Sequence, residues 1–463
     1  MAQYFSPGVY VEEVPSKIKA IAGVGTSTPA FIGIVPDSLK MPLSPIVNEA
    51  IGTGDGTKTI FNLSKYPVET DAATFQIRLN DTAVTTATLS NDDTKKVSLV
   101  TFTTAPANNA AITGDYRPLF IPVDVGVAKL CTNFSEFKKF FGEFSTDTGH
   151  RYLAHAVYGF FNNGGSSCYV VRIKNDNQLD DALNALARID DIALVAAPGK
   201  IDDDTRNKLV AHCKTTGDRF AILDGPETAS DIGKLTRIPA DAGGLMPKQT
   251  NLAAWYFPWL KVTDPVKKLD PNSDGVVSVP PSGHIAGIYA RVDNERGVHK
   301  APGNEAILGV LDVTQPLSKA EQDKLNPIGV NCIRVLNNNI LVWGARTVGG
   351  DANTDLKYIN VRRTLLFLRE SIDEGTQWAV FEPNTPALWQ TITRNVSAFL
   401  TNVWRSGALF GNTPQEAFYV KCDAETNPPE LRELGQVVTE IGVSIVRPAE
   451  FVIFRISQFT APS

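Results

Sequence analysis

At 463 residues the chain is long enough for roughly two to four domains, with cores that fold without disulfide or metal staples. Its 43% hydrophobic, 20% charged and 9% aromatic residues, with a mean hydropathy of -0.08, exclude wholesale disorder and a multi-span membrane protein. Lys and Arg number 44 against 50 Asp and Glu, a net charge of -6. The overall field therefore offers nothing to nucleic acid, which needs clustered cations.

The five cysteines, Cys131, Cys168, Cys213, Cys332 and Cys422, are odd in number and include no CxxC pair. They read as reduced thiols made in a cytoplasm, most of them small buried hydrophobes. The opening MAQYFSPGVYVEEVPS lacks the charged and apolar regions of a secretory signal, so export by that route is not expected. No stretch reaches the roughly 18 apolar residues needed to span a bilayer.

In chain order, residues 1–25 read as an extended arm and linker. Val9, Val11 and Val14 punctuate a polar stretch between Pro7 and Pro15, and Gly23-Val24-Gly25 reads as a flexible joint. A short strand, Ala30 to Val35, enters the body. Residues 48–116 turn rich in Thr, Asn, Asp and Gly, with alternating segments at Thr59–Leu63, Phe75–Leu79 and Val97–Phe102. Period-two strands between turn residues predict an inserted all-β sandwich.

Residues 26–47 and 117–345 form the predicted α/β body. Helical patterns at Phe134–Phe141, Tyr152–Phe161, Leu179–Ile189 and Thr205–Cys213 interleave with apolar runs at Cys168–Ile173, Ile192–Ala197 and Phe220–Leu223. Strands apolar on both faces, alternating with helices, predict βαβ units on a parallel or mixed sheet. The proline-dotted stretch from Asp264 to Gly303 reads as loop.

Residues 346–463 form a last unit. Tyr358, Val361, Leu365, Leu368 and Ile372 share one helical face. Leu388, Ile392, Val396, Phe399 and Val403 make a second stripe that starts at Thr385-Pro386 and stops at Gly407. A third helix is expected from Pro429 to Glu440, then strands at Gly442–Arg447 and Phe451–Ser457.

Chemical motifs are weak throughout. The strand-to-turn run Leu194–Gly199 has one glycine where a phosphate cradle needs several, and in Gly52–Thr59 the lysine does not follow the glycine. His150, His155, His212, His284 and His299 supply no zinc spacing. Cys213 and Cys332 carry no signature of an activated nucleophile, and Asp202-Asp203-Asp204 reads as the acidic first turn of a helix. No catalytic, cofactor-binding or metal residue is predicted.

Three segments are specific together: Ser6–Val14, Pro280–Gly287 running on through Arg291, Asp293 and Arg296–Pro302, and Val361-Arg362-Arg363 through Gln377–Asn384. They resemble the contractile tail sheath family of contractile-tailed bacteriophages, R-type pyocins and extracellular contractile injection systems, and Pro448–Ile453 continues the match. The resemblance implies a multidomain α/β chain whose α+β C-terminal sheath domain is completed by the N-terminal arm, beside a mixed α/β body and the small all-β insert. It also implies a non-enzymatic subunit, without cofactor, that stacks as six-membered rings around a tail tube. The polymer would contract from a metastable extended state to drive the tube through a target cell envelope.

Partners implied are other copies of the chain, the tube protein, and baseplate and terminator proteins, with no nucleic acid and no direct membrane insertion. Assembly would take place in the bacterial cytoplasm, the product being a phage tail or a released particle. Strands from Val9, Tyr10, Val11 and Val14 and from Phe451, Val452, Ile453 and Phe454 would be exchanged between subunits. Arg394 and Arg405, eleven residues apart and so about 20° apart around a helix, are candidates to face the tube. The competing reading is an α/β enzyme with an accessory carbohydrate-binding β domain.

Overall fold

The computed structural model describes residues 20–241, 243–453 and 455. Its described residues divide into two compact units, one within 25–366 and 447–455 and the other within 20–24 and 367–446. Helix Ile359–Thr376 contributes its first eight residues to the larger unit and the remainder to the smaller.

The larger unit is built on a nine-stranded mixed sheet. Its strand order is Lys129–Cys131, Cys168–Ile173, Pro29–Ile34, Leu194–Ala196, Phe220–Asp224, Ala253–Phe257, Val330–Leu336, Asn339–Val342 and Glu305–Ala306. The six strands from Cys168–Ile173 to Val330–Leu336 pair in parallel, and the flanking strands are antiparallel. Side chains alternate between two cores: Phe31, Val170, Phe220 and Ile222 enter one, Ala30, Ile32, Val171 and Leu223 the other. Burial on both faces is why these strands read as unbroken apolar runs.

One face is covered by helices Leu179–Leu186 and Asp203–Thr216, the latter capped by Asp202 accepting from the Thr205 N–H. The other holds Phe134–Phe141, Thr148–Asn162 and Ser282–Arg296. This last helix replaces the loop expected from Asp264 to Gly303. It is buried nearly all round, so it shows no contrast between polar and apolar faces, and it opens straight after Pro280-Pro281. Its crossing with Thr148–Asn162 depends on the absence of side chains. A Cβ on Gly283 would lie 2.3 Å from the Ala156 backbone, one on Gly287 2.5 Å from the Phe160 carbonyl, and one on Gly159 2.4 Å from the His284 ring.

Residues 46–116 fold into two antiparallel sheets, one of four strands and one of three, around a separate core that includes Phe61, Ile77, Leu89, Val100 and Ile112. In the smaller unit, helix Pro386–Arg405 buries Leu388, Ile392, Val396, Phe399 and Val403. Phe418–Lys421 and Glu440–Val443 form a two-stranded antiparallel sheet. The third helix stops at Glu433 rather than Glu440, Gly435 taking a φ of +71° just beyond. Phe451, Val452 and Ile453, expected in a strand, pair with nothing among the described residues and stand exposed.

His150 and His284 lie wholly inside the larger unit. Burial takes His150 down to about 4 against upward pulls from Asp147 and the Phe141 backbone, and takes His284 down to about 3, with His155 adding a smaller downward push in each case. His155 itself faces Asp264 at 3.6 Å.

Two outcomes follow from this packing. Gly283→Ala must push the two helix backbones apart and should cost about 3 kcal/mol, read as a lower thermal midpoint. Because the buried histidines stay neutral while the unfolded chain takes up protons below about pH 6.5, stability should fall from there toward pH 4. Each contributes at most about 1.4 kcal/mol per pH unit, and urea midpoints at pH 7 and 4.5 measure the loss. A His150→Gln variant should show a shallower slope.

Candidate functional site

The glycine turn that begins a phosphate cradle in other α/β folds donates its Gly199 N–H to Asp224 Oδ2 at 3.0 Å. The same carboxylate accepts from Ser282 N and Oγ, both at 2.8 Å, at the start of helix Ser282–Arg296. The position where a bound anion would meet a helix N-terminus is thus filled by the protein's own carboxylate. Burial pushes Asp224 up to about 6 while its three donors pull it back.

Gly52–Thr59 links two strands, with Asp55 accepting from Thr57 and Lys58 N–H groups. All five thiols are buried, and burial raises Cys332 to about 12 and takes Cys213 still higher, the opposite of activation. Among the described residues no group of three His, Cys, Asp or Glu could hold a metal ion, and no helix is long and apolar enough to cross a membrane.

What the structure does build is a pair of anchored chain exits. In the larger unit the Arg363 guanidinium, 3% exposed, grips Asp293 at 2.9 and 2.6 Å. It also donates to the Thr26 carbonyl at 2.8 Å and lies 4.6 Å from the centre of the Tyr289 ring. The Thr26 hydroxyl closes the triangle on Asp293 at 2.6 Å. Burial alone would lower the Arg363 pKa, but Asp293 holds it above its ordinary value.

The second exit is at Glu450. Arg346 Nε and Nη2 meet its two oxygens at 2.7 and 2.8 Å, Asn326 adds a donor at 2.8 Å and the Tyr358 hydroxyl another at 2.9 Å. Immediately beyond it Phe451, Val452 and Ile453 are 69%, 69% and 77% exposed. Phe451 and Val452 border a groove of about 1150 Å³, whose wall includes His299, Lys300, Arg334 and Trp343.

In the smaller unit Ile21 is buried against Gly375, and the Val24 N–H donates to Ser371 Oγ at 3.1 Å. The joint expected at Gly23–Gly25 is therefore packed as far as Val24, and only Gly25 has open space around its Cα. Among the described residues the outer edge of strand Glu440–Val443 carries no further strand. Ser444 N donates to the Ala417 carbonyl, and 408–410 pairs with 444–446 on that same side. By antiparallel alternation the N–H and C=O groups of Ile441, Val443 and Ile445 then point outward, and among the described residues they meet no backbone partner.

Of the predicted site residues, Arg394 and Arg405 are both exposed on helix Pro386–Arg405, away from its buried stripe. Phe451, Val452 and Ile453 are placed as above. Val9, Tyr10, Val11, Val14 and Phe454 lie outside the described residues. Tyr358 was placed on a helical face and Glu450 in the matched run Pro448–Ile453, but the convergence of Arg346, Tyr358, Asn326 and Glu450 was not read from sequence, since partners about a hundred positions apart leave no local pattern.

Comparison with known proteins places this architecture. Residues 175–348 match the model of the phage tail sheath protein central domain, and 351–459 that of the phage tail sheath C-terminal domain. The chain belongs to the phage tail sheath family. Sheath relatives include a prophage major tail sheath protein of Pseudomonas aeruginosa, 26% identical over 244 residues, or 51% of this chain and 57% of that protein. The tail sheath protein of Vibrio phage KVP40 is 28% identical over 189 residues, 40% of this chain and 27% of its own length. The match thus spans about half, or less, of these relatives.

Among solved structures, the sheath complex of the extracellular contractile injection system PVC, in its contracted state, shares the fold with a TM-score of 0.66 at 24% identity, over 99% of both chains. A chain of the anti-feeding prophage baseplate does so at 0.64 and 24% identity, covering 99% of this chain and all of that one.

Arg363→Ala would leave Asp293 buried without its partner and should cost about 3–5 kcal/mol. Chemical denaturation measures the loss, and hydrogen exchange should quicken at residues 26–28, whose Thr26 carbonyl loses its donor.

Proposed function

We propose that this chain is the structural subunit of a contractile tail sheath, a polymer of the chain around a tail tube that shortens to drive the tube through a target envelope. The observation that carries this reading is the likeness, over 99% of both chains, to a sheath complex in its contracted state, joined to family matches over the central and C-terminal domains. The work is mechanical and comes from differences in buried interface between two arrangements of the polymer. Neither an enzymatic step nor a cofactor enters it. The likeness to a baseplate chain favours a baseplate partner alongside the tube and a terminator.

In this reading subunits stack as six-membered rings tied by strand exchange. The open Ile441–Ile445 edge supplies unpaired backbone groups for strand addition. Val9, Tyr10, Val11 and Val14 of one neighbour and Phe451, Val452, Ile453 and Phe454 of another supply the strands. Burying Phe451, Val452 and Ile453 on a neighbour would yield about 6 kcal/mol gross per subunit.

Residues 346–463 form the inner sheath domain, with Arg394 and Arg405 meeting carboxylates on the tube. The all-β region 48–116, with its own core, lies outermost. Assembly occurs in the bacterial cytoplasm, and the particle is a phage tail or a released injection device.

Electron micrographs of the purified full-length protein test the reading: hollow cylinders are expected, whereas discrete particles at all concentrations would overturn it. Deleting residues 1–14 should leave a folded, soluble chain that sediments as small species. Long polymers from that truncation would remove the strand-exchange scheme.

A further inference from the structure

The end of the described chain changes character at a single residue. Glu450 is held by four side-chain donor contacts from three residues, Arg346 twice, Asn326 and Tyr358. Its side chain is 18% exposed and that of Arg346 is 3%. Three consecutive apolar residues then stand in the open. Arg346 is itself fixed from behind, donating to the Asn326 carbonyl at 3.0 Å and to Asp351 at 3.1 Å. Its N–H is bound by Asn331 Oδ1 at 2.8 Å, and Asn331 Nδ2 returns to the Arg346 carbonyl at 2.8 Å. Asn331 and Tyr358 belong to elements of the sheet and helix framework: strand Val330–Leu336, and the residue just before helix Ile359–Thr376. A chain segment of exposed residues has thus been given a buried ionic root.

We propose that Arg346 and Glu450 are positioning residues of the polymer: they fix the point at which the C-terminal strand leaves the body, and so set the spacing at which one subunit holds the next. This inference rests on the sheath reading. A strand joined to its body through an unanchored coil can take up displacement as slack, because each free residue adds several ångströms of reach. A strand rooted one residue before its first contact position transmits displacement directly. Exposed, screened ion pairs would not serve. A bidentate guanidinium–carboxylate pair largely shielded from water, with both partners carrying further hydrogen bonds, has the stiffness and the directionality the role needs. The burial of Glu450 on its own would raise its carboxyl pKa, yet Arg346, Asn326 and Tyr358 hold it below the ordinary value. The anchor therefore stays charged at neutral pH.

The test compares the full-length wild type with Glu450→Ala and the milder Tyr358→Phe, which removes one donor and keeps the ring. Native-state hydrogen exchange on the unassembled chains should quicken at the Val446 and Glu450 positions, whose N–H groups are hydrogen-bonded to the Ala408 and Pro448 carbonyls, by about tenfold in Glu450→Ala and by less in Tyr358→Phe. Micrographs of the polymers should show cylinders in every case. Sharp layer lines are expected for wild type, weaker ones for Tyr358→Phe, and loss of regular axial spacing for Glu450→Ala. A merely structural role would lower the melting point of the chain without disturbing axial order. Glu450→Ala cylinders with wild-type layer lines would overturn the positioning role while leaving the sheath reading intact. Unchanged exchange at the Val446 and Glu450 positions would overturn the anchor itself. A wild-type chain that forms no cylinders would overturn the sheath reading, and with it the role proposed for these two residues.

Discussion

The buried contact between Arg363 and Asp293 is the constraint around which the larger unit is arranged. A guanidinium and a carboxylate taken out of water lose several kcal/mol of hydration each. They are tolerated because the pair is densely bonded: both carboxylate oxygens are engaged, the Thr26 carbonyl takes a further donor, and the Tyr289 ring offers its face. Tyr289 in turn shares its hydroxyl with Tyr256 at 2.7 Å, on a strand in the middle of the sheet. The stretch around Thr26, the buried helix Ser282–Arg296 and the start of helix Ile359–Thr376 therefore meet at one ionic knot. Moving any one of them strands a charge.

Asp224 has a comparable role at the carboxyl ends of the parallel strands. In many α/β proteins that edge is where ligands bind, at the ends of strands and the beginnings of helices. Here the turn at Gly199 and the opening of helix Ser282–Arg296 are turned inward on a protein carboxylate. The donors that would recognise an anion are spent on cohesion. Among the described residues, backbone groups without a backbone partner lie at the outer edge of strand Glu440–Val443 in the smaller unit, and the apolar triplet after Glu450 stands exposed.

What was legible in the sequence followed from contrast. Helix Phe134–Phe141 was bounded as observed, and the stripe Leu388–Val403 could be read because one face is buried and the other wet. The runs Cys168–Ile173 and Phe220–Leu223 could be read because both faces are dry. Helix Ser282–Arg296 was missed for want of contrast, although the resemblance already marked its residues. Gly283 and Gly287, which look like loop residues, are there so that two helices can touch. The register of Leu365 was also misjudged: its neighbour Leu366 carries the burial. Leu365 follows the heptad-like spacing of its stripe, but here the buried face also takes in Arg363 and Thr364. The exposure of Arg394 and Arg405 followed from the stripe on their helix, whereas residues 451–453 were marked by the resemblance and expected in a strand that the described residues do not form. The ionic anchors were not legible, because Arg346 and Glu450, or Arg363 and Asp293, become neighbours only through the fold.

The all-β region joins the larger unit through strands that run side by side in both directions. Ile46 is paired with Tyr116, and Leu39–Lys40 with Leu119–Phe120. Its entry and exit are therefore only about 5 Å apart at each paired step, the geometry in which one domain can be spliced into another without stretching its host. Such a doorway is indifferent to what is built beyond it. A module joined in this way can be enlarged, exchanged or shed while the ionic knots and the glycine-packed helices stay as they are, so the two parts of the chain are free to evolve at different speeds.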